Sequence, residues 1–301
     1  MPEPERLDRY LVRHGLAPSR RAADAMVAAG QVSVNGRRCR KSDLVDDTAS
    51  VEIVSSTSAA PIGANPDLAL EILYQDAAVI VVNKPGGLPC HPVRTSECVT
   101  VMNAAVARFP ETADAGDAEK PLEGGLVHRL DNGTSGALLI ARTKDAFATL
   151  RAAIRTGKVA RRYEALVAGD LTRKLELDAP IAHHPKNPRR MIHGDTSSSK
   201  RKRAGRAALT IIEPVRRVGR FTLVSALPAT GSRHQIRVHL ADAGFPIVGD
   251  TLYGGPLDPR LPKNRFFLHL SEVTFDSPAS GRTRVIAPMP KELQKLLVTN
   301  R

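Results

Sequence analysis

One carboxylate in this 301-residue chain stands in a context suited to chemistry. Asp131 lies in His128-Arg129-Leu130-Asp131-Asn132-Gly133-Thr134-Ser135-Gly136, and the apolar run Ala137-Leu138-Leu139-Ile140-Ala141 follows at once. Gly133 and Gly136 allow a tight turn and close approach to a ligand, while Thr134 and Ser135 can hydrogen-bond the turn locally. A turn feeding a buried strand presents one reactive side chain from a rigid support. A reaction built on a single carboxylate uses it as nucleophile or as general base. Either role needs it ionised yet poorly hydrated, a condition that a nearby guanidinium favours.

Three further segments carry candidate groups. Asn83-Lys84-Pro85-Gly86-Gly87-Leu88-Pro89-Cys90-His91-Pro92 is a strand ending in a rigid Pro/Gly turn. Arg161-Arg162-Tyr163-Glu164-Ala165-Leu166-Val167 reads as a strand with one tyrosine. Thr230-Gly231-Ser232-Arg233-His234-Gln235-Ile236-Arg237-Val238-His239-Leu240 leads to Gly244-Phe245-Pro246-Ile247-Val248-Gly249-Asp250 and Tyr253-Gly254. Together they offer one strong acid, several arginines and a tyrosine, with no phosphate-cradling loop and no metal-ligand set. No Ser-His-Asp arrangement is forced by the spacing, and His128, adjacent to Arg129, is a poor partner for a serine. His234 and His239 read as structural. Cys39, Cys90 and Cys98 are too few and too scattered for a disulfide framework, and no C-x-x-C spacing suggests zinc. Cys90 beside His91 reads as a structural cysteine, because nothing nearby supplies a third, orienting group.

These groups must be positioned by a folded chain, and composition allows one: 42% of residues are hydrophobic. No apolar run approaches the roughly 20 residues that span a bilayer. Met1-Pro2-Glu3-Pro4-Glu5-Arg6 lacks the basic-then-apolar layout of a secretory signal, so a cytoplasmic protein is expected. A formal net charge of +13 favours an anionic polymer as partner, nucleic acid by default. The absence of tryptophan and an aromatic content of only 4% argue against extended base-stacking platforms, and binding is expected to lean on Arg and Lys contacts to phosphate and on shape.

Residues 5–53 read as a separate small unit. Leu7, Tyr10 and Leu11, then Ala22, Ala25 and Met26, recur at helical spacing, with Ser19 as a candidate N-cap between them. Gly30 ends the second helix, and Val32-Ser33-Val34-Asn35-Gly36 is a strand entering an Asn-Gly hairpin turn. Arg13, Arg20, Arg21, Arg37, Arg38, Arg40 and Lys41 give the unit a basic surface. Arg6-Leu7-Asp8-Arg9-Tyr10-Leu11, Gly15, Ser19-Arg20-Arg21-Ala22-Ala23 and Gly30 to Gly36 resemble the S4 RNA-binding domain, a small α/β unit, although Asp46-Asp47-Thr48 stands where that family carries a Gly-Asp turn. The resemblance marks Arg20 and Arg21 as RNA contacts. Residues 54–67 have linker composition. Residues 68–301 alternate short apolar strands with Gly and Pro turns, with helices predicted over 145–155 and 235–243, giving an α+β domain. Within it, 183–206 is a basic excursion (His183, His184, Lys186, Arg189, Arg190, Lys200 to Arg203 and Arg206). It fits a solvated loop or an RNA-contacting one, and Ser197-Ser198-Ser199 argues for mobility.

From about residue 70 to 292 the chain resembles the pseudouridine synthases, in particular the family sharing His-Arg-Leu-Asp-x-x-Thr-Ser-Gly. Phe267-Leu268-His269-Leu270 and Ala287-Pro288-Met289-Pro290 extend the match. The resemblance implies an α+β catalytic domain with a mixed, largely antiparallel sheet and a cofactor-free, metal-free isomerase acting on uridines of structured RNA. Large-subunit ribosomal RNA is the expected substrate, since members with a leading S4 unit mostly act there; transfer RNA, or a non-catalytic ribosome-assembly role, is the alternative. It also implies that Asp131 is the catalytic aspartate, that Tyr163 stacks under the target base and can serve as the proton-removing base, and that Arg237 pairs with the aspartate. Arg129 would enter the helical stack when the nucleotide is flipped, and Lys84 would lie near the site. Where the family has Thr-Gly-Arg, this chain has Thr230-Gly231-Ser232-Arg233, which leaves Arg233 as the residue to contact phosphate.

Overall fold

Ser19 does cap a helix: its Oγ accepts a hydrogen bond from the Ala22 N–H at 3.2 Å, and Arg20–Ala28 follows. This is seen in the computed structural model of the chain, which describes residues 4–28, 30–53, 62–194 and 205–298. The chain divides into Met1–Ala59 and Ala60–Arg301. The first unit contains, in order, β1 (Glu5–Arg6), α1 (Leu7–Arg13), α2 (Arg20–Ala28), β2 (Val32–Val34), β3 (Arg37–Arg38), β4 (Leu44–Val45) and β5 (Val51–Ile53). Asn35 and Gly36 have φ of 52° and 71°, the left-handed pair that an Asn-Gly hairpin between β2 and β3 requires. Leu7, Leu11, Ala23, Val27 and Val32 form its core. At Asp46-Asp47-Thr48 the Asp46 carboxylate accepts from the Thr48 N–H at 3.0 Å, an Asx turn in place of a Gly-Asp turn.

The second unit begins earlier than its composition suggests. Residues 54–61 of the stretch read as a linker lie outside the described residues, but Ile62 is buried in the large core and the Asn65 N–H donates to the Asn103 carbonyl at 2.9 Å. Then come β6 (Glu71–Gln75), β7 (Val79–Lys84), α3 (Val101–Arg108), β8 (Ser135–Ala141), α4 (Lys144–Arg155) and β9 (Ala160–Ala168). β10 (Leu175–Leu177), β11 (Ile181–His183), β12 (Met191–His193), β13 (Thr210–Val218) and β14 (Phe221–Pro228) follow. α5 (Gln235–Asp242), β15 (Leu268–Ser277), β16 (Gly281–Ile286) and α6 (Lys291–Leu297) complete the unit. One sheet runs β10-β13-β14-β9-β15-β8-β7-β6, with β16 added to β15. It is mixed and largely antiparallel; β8 and β15 form its parallel pair, with Ser135 opposite His269 and Gly136 opposite Leu270. Every residue of β8 is buried, as a run of small and apolar residues between two neighbours demands.

The basic excursion is not a plain loop: β11 and β12 pair antiparallel, with His183 opposite Met191, and Ile181 bridges to Arg206. Ser197 to Ser199 and Lys200 to Arg203 lie outside the described residues.

Gly136 is a tight point at the start of β8, next to the Asp131 turn. Its φ is +119°, and a Cβ there would run into the Leu270 carbonyl. Gly136→Ala is expected to destabilise the unit by about 3 kcal/mol or more, read as a lowered urea midpoint with an unchanged slope.

Candidate active site

Asp131 sits on the turn that enters β8, and the carbonyls of that turn are gripped from two sides. The Thr134 N–H closes the turn on the Asp131 carbonyl at 2.9 Å. The Asn132 carbonyl accepts from the Gly87 N–H at 2.6 Å and from Lys84 Nζ at 3.2 Å, and Lys84 also donates to the Pro85 carbonyl at 2.9 Å. On the other side Arg265 Nη1 donates to the carbonyls of Gly133 and Phe266, and Nη2 donates to Ser135 Oγ at 2.7 Å. Lys84 is fully buried. Burial pushes its ammonium down to about 8, with the Arg265 charge adding to that effect and the Cys90 and Asp131 charges opposing it. The hydroxyls of the motif do not support the turn locally. Ser135 Oγ reaches His269 Nδ1 at 2.9 Å and Arg265, while Thr134 Oγ1 is buried with no partner among the described residues. Both residues are buried, Thr134 just before β8 and Ser135 as its first residue.

Arg237, on α5, joins two carboxylates. Its Nη1 donates to Asp131 Oδ2 at 2.8 Å, and Nε and Nη2 donate to Asp250 at 2.7 and 2.9 Å. The guanidinium lies over the Phe266 ring at 4.4 Å and over the Tyr253 ring at 5.0 Å. Burial alone would push it down, but the bonds to Asp250 and the Asp131 charge more than reverse this, holding it above its usual range. Exposure decides which member can meet a substrate: the Asp131 side chain is 23% exposed, against 6% for Arg237 and 1% for Asp250. Asp131 is thus the open end of an otherwise buried charge network. His234 Nε2 lies 3.7 Å from Asp131 Oδ1, and Nδ1 is 2.8 Å from the Tyr253 hydroxyl.

Tyr163 is buried on β9, between Ala226 and Leu270 of the flanking strands. Burial pushes its phenol up, the Arg161 charge opposes this and the Asp131 charge adds to it, so the ring is a neutral phenol at neutral pH. His128 is buried, accepts the Leu139 N–H on Nε2 at 3.2 Å, and is pushed by burial down to about 3.

A comparison with known families adds the deciding observation, because the family described as RNA pseudouridylate synthase matches residues 78–242, more than half of the chain. The chain belongs to this family. It is therefore an RNA-modifying isomerase. The S4 domain family matches residues 5–51. A relative named ribosomal large subunit pseudouridine synthase D, from Xanthomonas campestris, is 35% identical over 93% of this chain and 84% of its own length. One of the same name from Pseudomonas aeruginosa is 31% identical over 97% and 91%. Among solved structures, human RNA pseudouridylate synthase domain containing 4 superposes with a TM-score of 0.56 at 25% identity, covering 75% of this chain and 91% of that one.

Within this pseudouridylate synthase, the expected residues fall in three places. Asp131 and Arg237 are in direct contact; Lys84 supports the same turn through Asn132, and Tyr163 senses the Asp131 charge. Arg129 points outward, 58% exposed, with Nη1 donating to Glu123 at 2.8 Å. Arg233 is exposed and donates to the Pro188 carbonyl at 3.1 Å, which ties it to the basic hairpin. In the S4 unit, Arg20 donates to the buried Asp8 at 2.8 Å and Arg21 is exposed. Cys90 is structural, with its thiol bonded to the Leu130 backbone, and so is His239, held by Thr210 and the Ala179 carbonyl. His234, read as structural, faces Asp131 with Nε2 3.7 Å from Oδ1. Asp250, Tyr253, Phe266 and Arg265 have no role that their local sequence announces. The available signal was Arg237 itself: a buried guanidinium needs carboxylates and flat partners, and the Gly249 to Tyr253 stretch supplies both.

Proposed function

We propose that this enzyme converts uridines of large-subunit ribosomal RNA to pseudouridine in the cytoplasm, with Asp131 as its reacting carboxylate and no metal or organic cofactor. The conversion breaks the N1–C1′ bond, turns the uracil and forms the C5–C1′ bond. The C5 proton leaves and N1 gains one, so no atoms are gained or lost overall. The single observation that carries the assignment is the Asp131–Arg237–Asp250 array, which leaves one partly exposed carboxylate at the end of a buried network. Tyr163 would lie under the uracil and Arg237 would hold Asp131. Arg129 would fill the gap left by the target nucleotide, because a glycosidic carbon cannot be reached inside a stacked helix. Lys84 would hold the Asp131 turn, while Arg233, Arg20 and Arg21 would meet phosphates of structured RNA. The ribosomal assignment is supported by the names of the Xanthomonas and Pseudomonas relatives.

Two measurements test this. The purified protein should release tritium from RNA labelled at C5 of uridine, as only turnover frees that label. Pseudouridine maps of RNA from cells with and without the gene should differ in large-subunit ribosomal RNA. Differences confined to transfer RNA would overturn the ribosomal assignment, and no tritium release would overturn the activity.

A further inference from the structure

Arg237 occupies only one edge of the Asp131 carboxylate. Oδ2 takes its Nη1 at 2.8 Å, while Oδ1 faces His234 Nε2 at 3.7 Å. The proton on that imidazole can be placed from its other neighbours. The Tyr253 hydroxyl accepts the Met191 backbone N–H at 2.8 Å and lies 2.8 Å from His234 Nδ1. With an N–H already directed at its oxygen, Tyr253 satisfies its own proton by donating to Nδ1, which leaves the imidazole proton on Nε2, facing Asp131. The rings of His234 and Tyr253 meet edge-on at 5.7 Å, and Arg237 lies over the same Tyr253 ring. His234 also holds a left-handed backbone conformation, with φ 55° and ψ 21°, immediately before α5. A non-glycine residue kept there costs on the order of 1–3 kcal/mol, a strain that concentrates at functional sites.

We propose that His234 is a positioning residue for Asp131: its Nε2–H, aimed by Tyr253, fixes the Oδ1 edge of the carboxylate as Arg237 fixes the Oδ2 edge. The inference rests on Asp131 being the reacting group. A separation of 3.7 Å is longer than a hydrogen bond; the proposal requires that it close when a bound nucleotide excludes water and tightens the site. The charged and titratable groups facing the imidazole are Asp131, Arg237, Arg233, Asp250 and Tyr253. Burial and the two arginines outweigh the two carboxylates and push His234 down to about 4, so it stays neutral through the working range and donates without titrating.

The test uses the full chain and C5-tritiated total RNA from cells lacking the gene. Single-turnover tritium release and RNA affinity are measured for His234→Ala, His234→Gln, Tyr253→Phe and the Gln/Phe double variant. Loss of one preorganised donor is expected to slow release about 100-fold in His234→Ala, with RNA affinity within about two-fold of wild type. His234→Gln, whose amide N–H can stand where Nε2–H stands, should recover to within about ten-fold. Tyr253→Phe should slow release about ten-fold when His234 is present and less than about two-fold further in the His234→Gln background, which has no tautomer to set. The pH profile between about 6 and 8.5 should keep its shape in His234→Gln.

Equal losses from Tyr253→Phe in both backgrounds, or a profile reshaped by His234→Gln, would overturn the inference. The coupling between His234→Gln and Tyr253→Phe carries the test, so the outcome is decided even if His234→Ala does not fold. If Asp131→Asn is inactive while His234→Ala matches wild type, this inference alone fails. If Asp131→Asn matches wild type, the assignment of Asp131 as the reacting carboxylate fails.

Discussion

Asp131→Asn is expected to reduce tritium release by at least about 1,000-fold, with RNA binding unchanged. The substitution is nearly isosteric, and the asparagine carbonyl can still accept from Arg237 Nη1 at the position of Oδ2. What changes is the other edge. A carboxylate oxygen facing His234 becomes an amide NH2, which is neither a nucleophile nor a base, and which meets the donor face of the imidazole. The loss should therefore fall on the chemical step. Gel shift or filter binding at fixed salt would report RNA affinity, and single-turnover release would report chemistry; salt must be held constant because phosphate contacts make affinity steeply dependent on it. A thermal melt close to that of wild type would show that the loss does not come from unfolding. A variant with wild-type release would show that the carboxylate takes no part in the reaction.

The fold was legible where burial imposes a simple pattern. Residues 79–82 and 137–141 are uninterrupted apolar runs because β7 and β8 are covered on both faces, and the structure extends the strands read over 79–83 and 137–141 only to Lys84 and back to Ser135. The helix predicted over 145–155 begins one residue earlier, capped by Thr143 Oγ1 accepting the Ala146 N–H at 3.2 Å. α3 gives no such signal because it is buried nearly all round, from Val101 through Val106, so it has no polar face to reveal a helical period. β11 and β12 are hidden because each has three residues amid basic, polar neighbours, too short for alternation to show.

The site was legible to the extent that its parts are contiguous. The turn around Asp131 and the start of α5 are each written in one segment, but their contact joins residues 106 positions apart. No local pattern encodes that distance; the resemblance supplied the pairing of Asp131 with Arg237. His234 shows the limit most clearly. Histidine before a helix reads as ordinary packing, and what turns it toward Asp131 is a left-handed backbone angle together with a tyrosine 19 positions later. Ser135 misleads in the opposite direction. Its place beside the turn suggests local support, whereas β8 directs it to His269 and Arg265 of a distant segment.

Arg237 should tolerate substitution least, because it is committed to three kinds of partner at once. Arg237→Met removes the charge that compensates Asp250, whose side chain is only 1% exposed and gives two oxygens to the guanidinium. A carboxylate left unpaired at that depth is expected to cost about 3–5 kcal/mol, so this variant should unfold at a clearly lower denaturant concentration than wild type. Asp250→Asn introduced alongside Arg237→Met replaces the unpaired charge with a neutral amide and should recover most of that stability without recovering activity. Arg237→Lys separates folding from chemistry in another way. An ammonium keeps the positive charge between the two carboxylates, but it lacks the planar fork that spans Asp131 and Asp250 together and the flat faces that lie against Phe266 and Tyr253. It should fold with a loss of about 1–2 kcal/mol and turn over about 100-fold more slowly, since a lysine that pairs with the buried Asp250 leaves Asp131 without its Oδ2 contact. Urea unfolding and single-turnover tritium release on the same three proteins check the set. Wild-type stability in Arg237→Met would mean that the buried array does not hold this part of the fold together, and wild-type turnover in Arg237→Lys would mean that fixing Asp131 Oδ2 is not what the guanidinium does for the reaction.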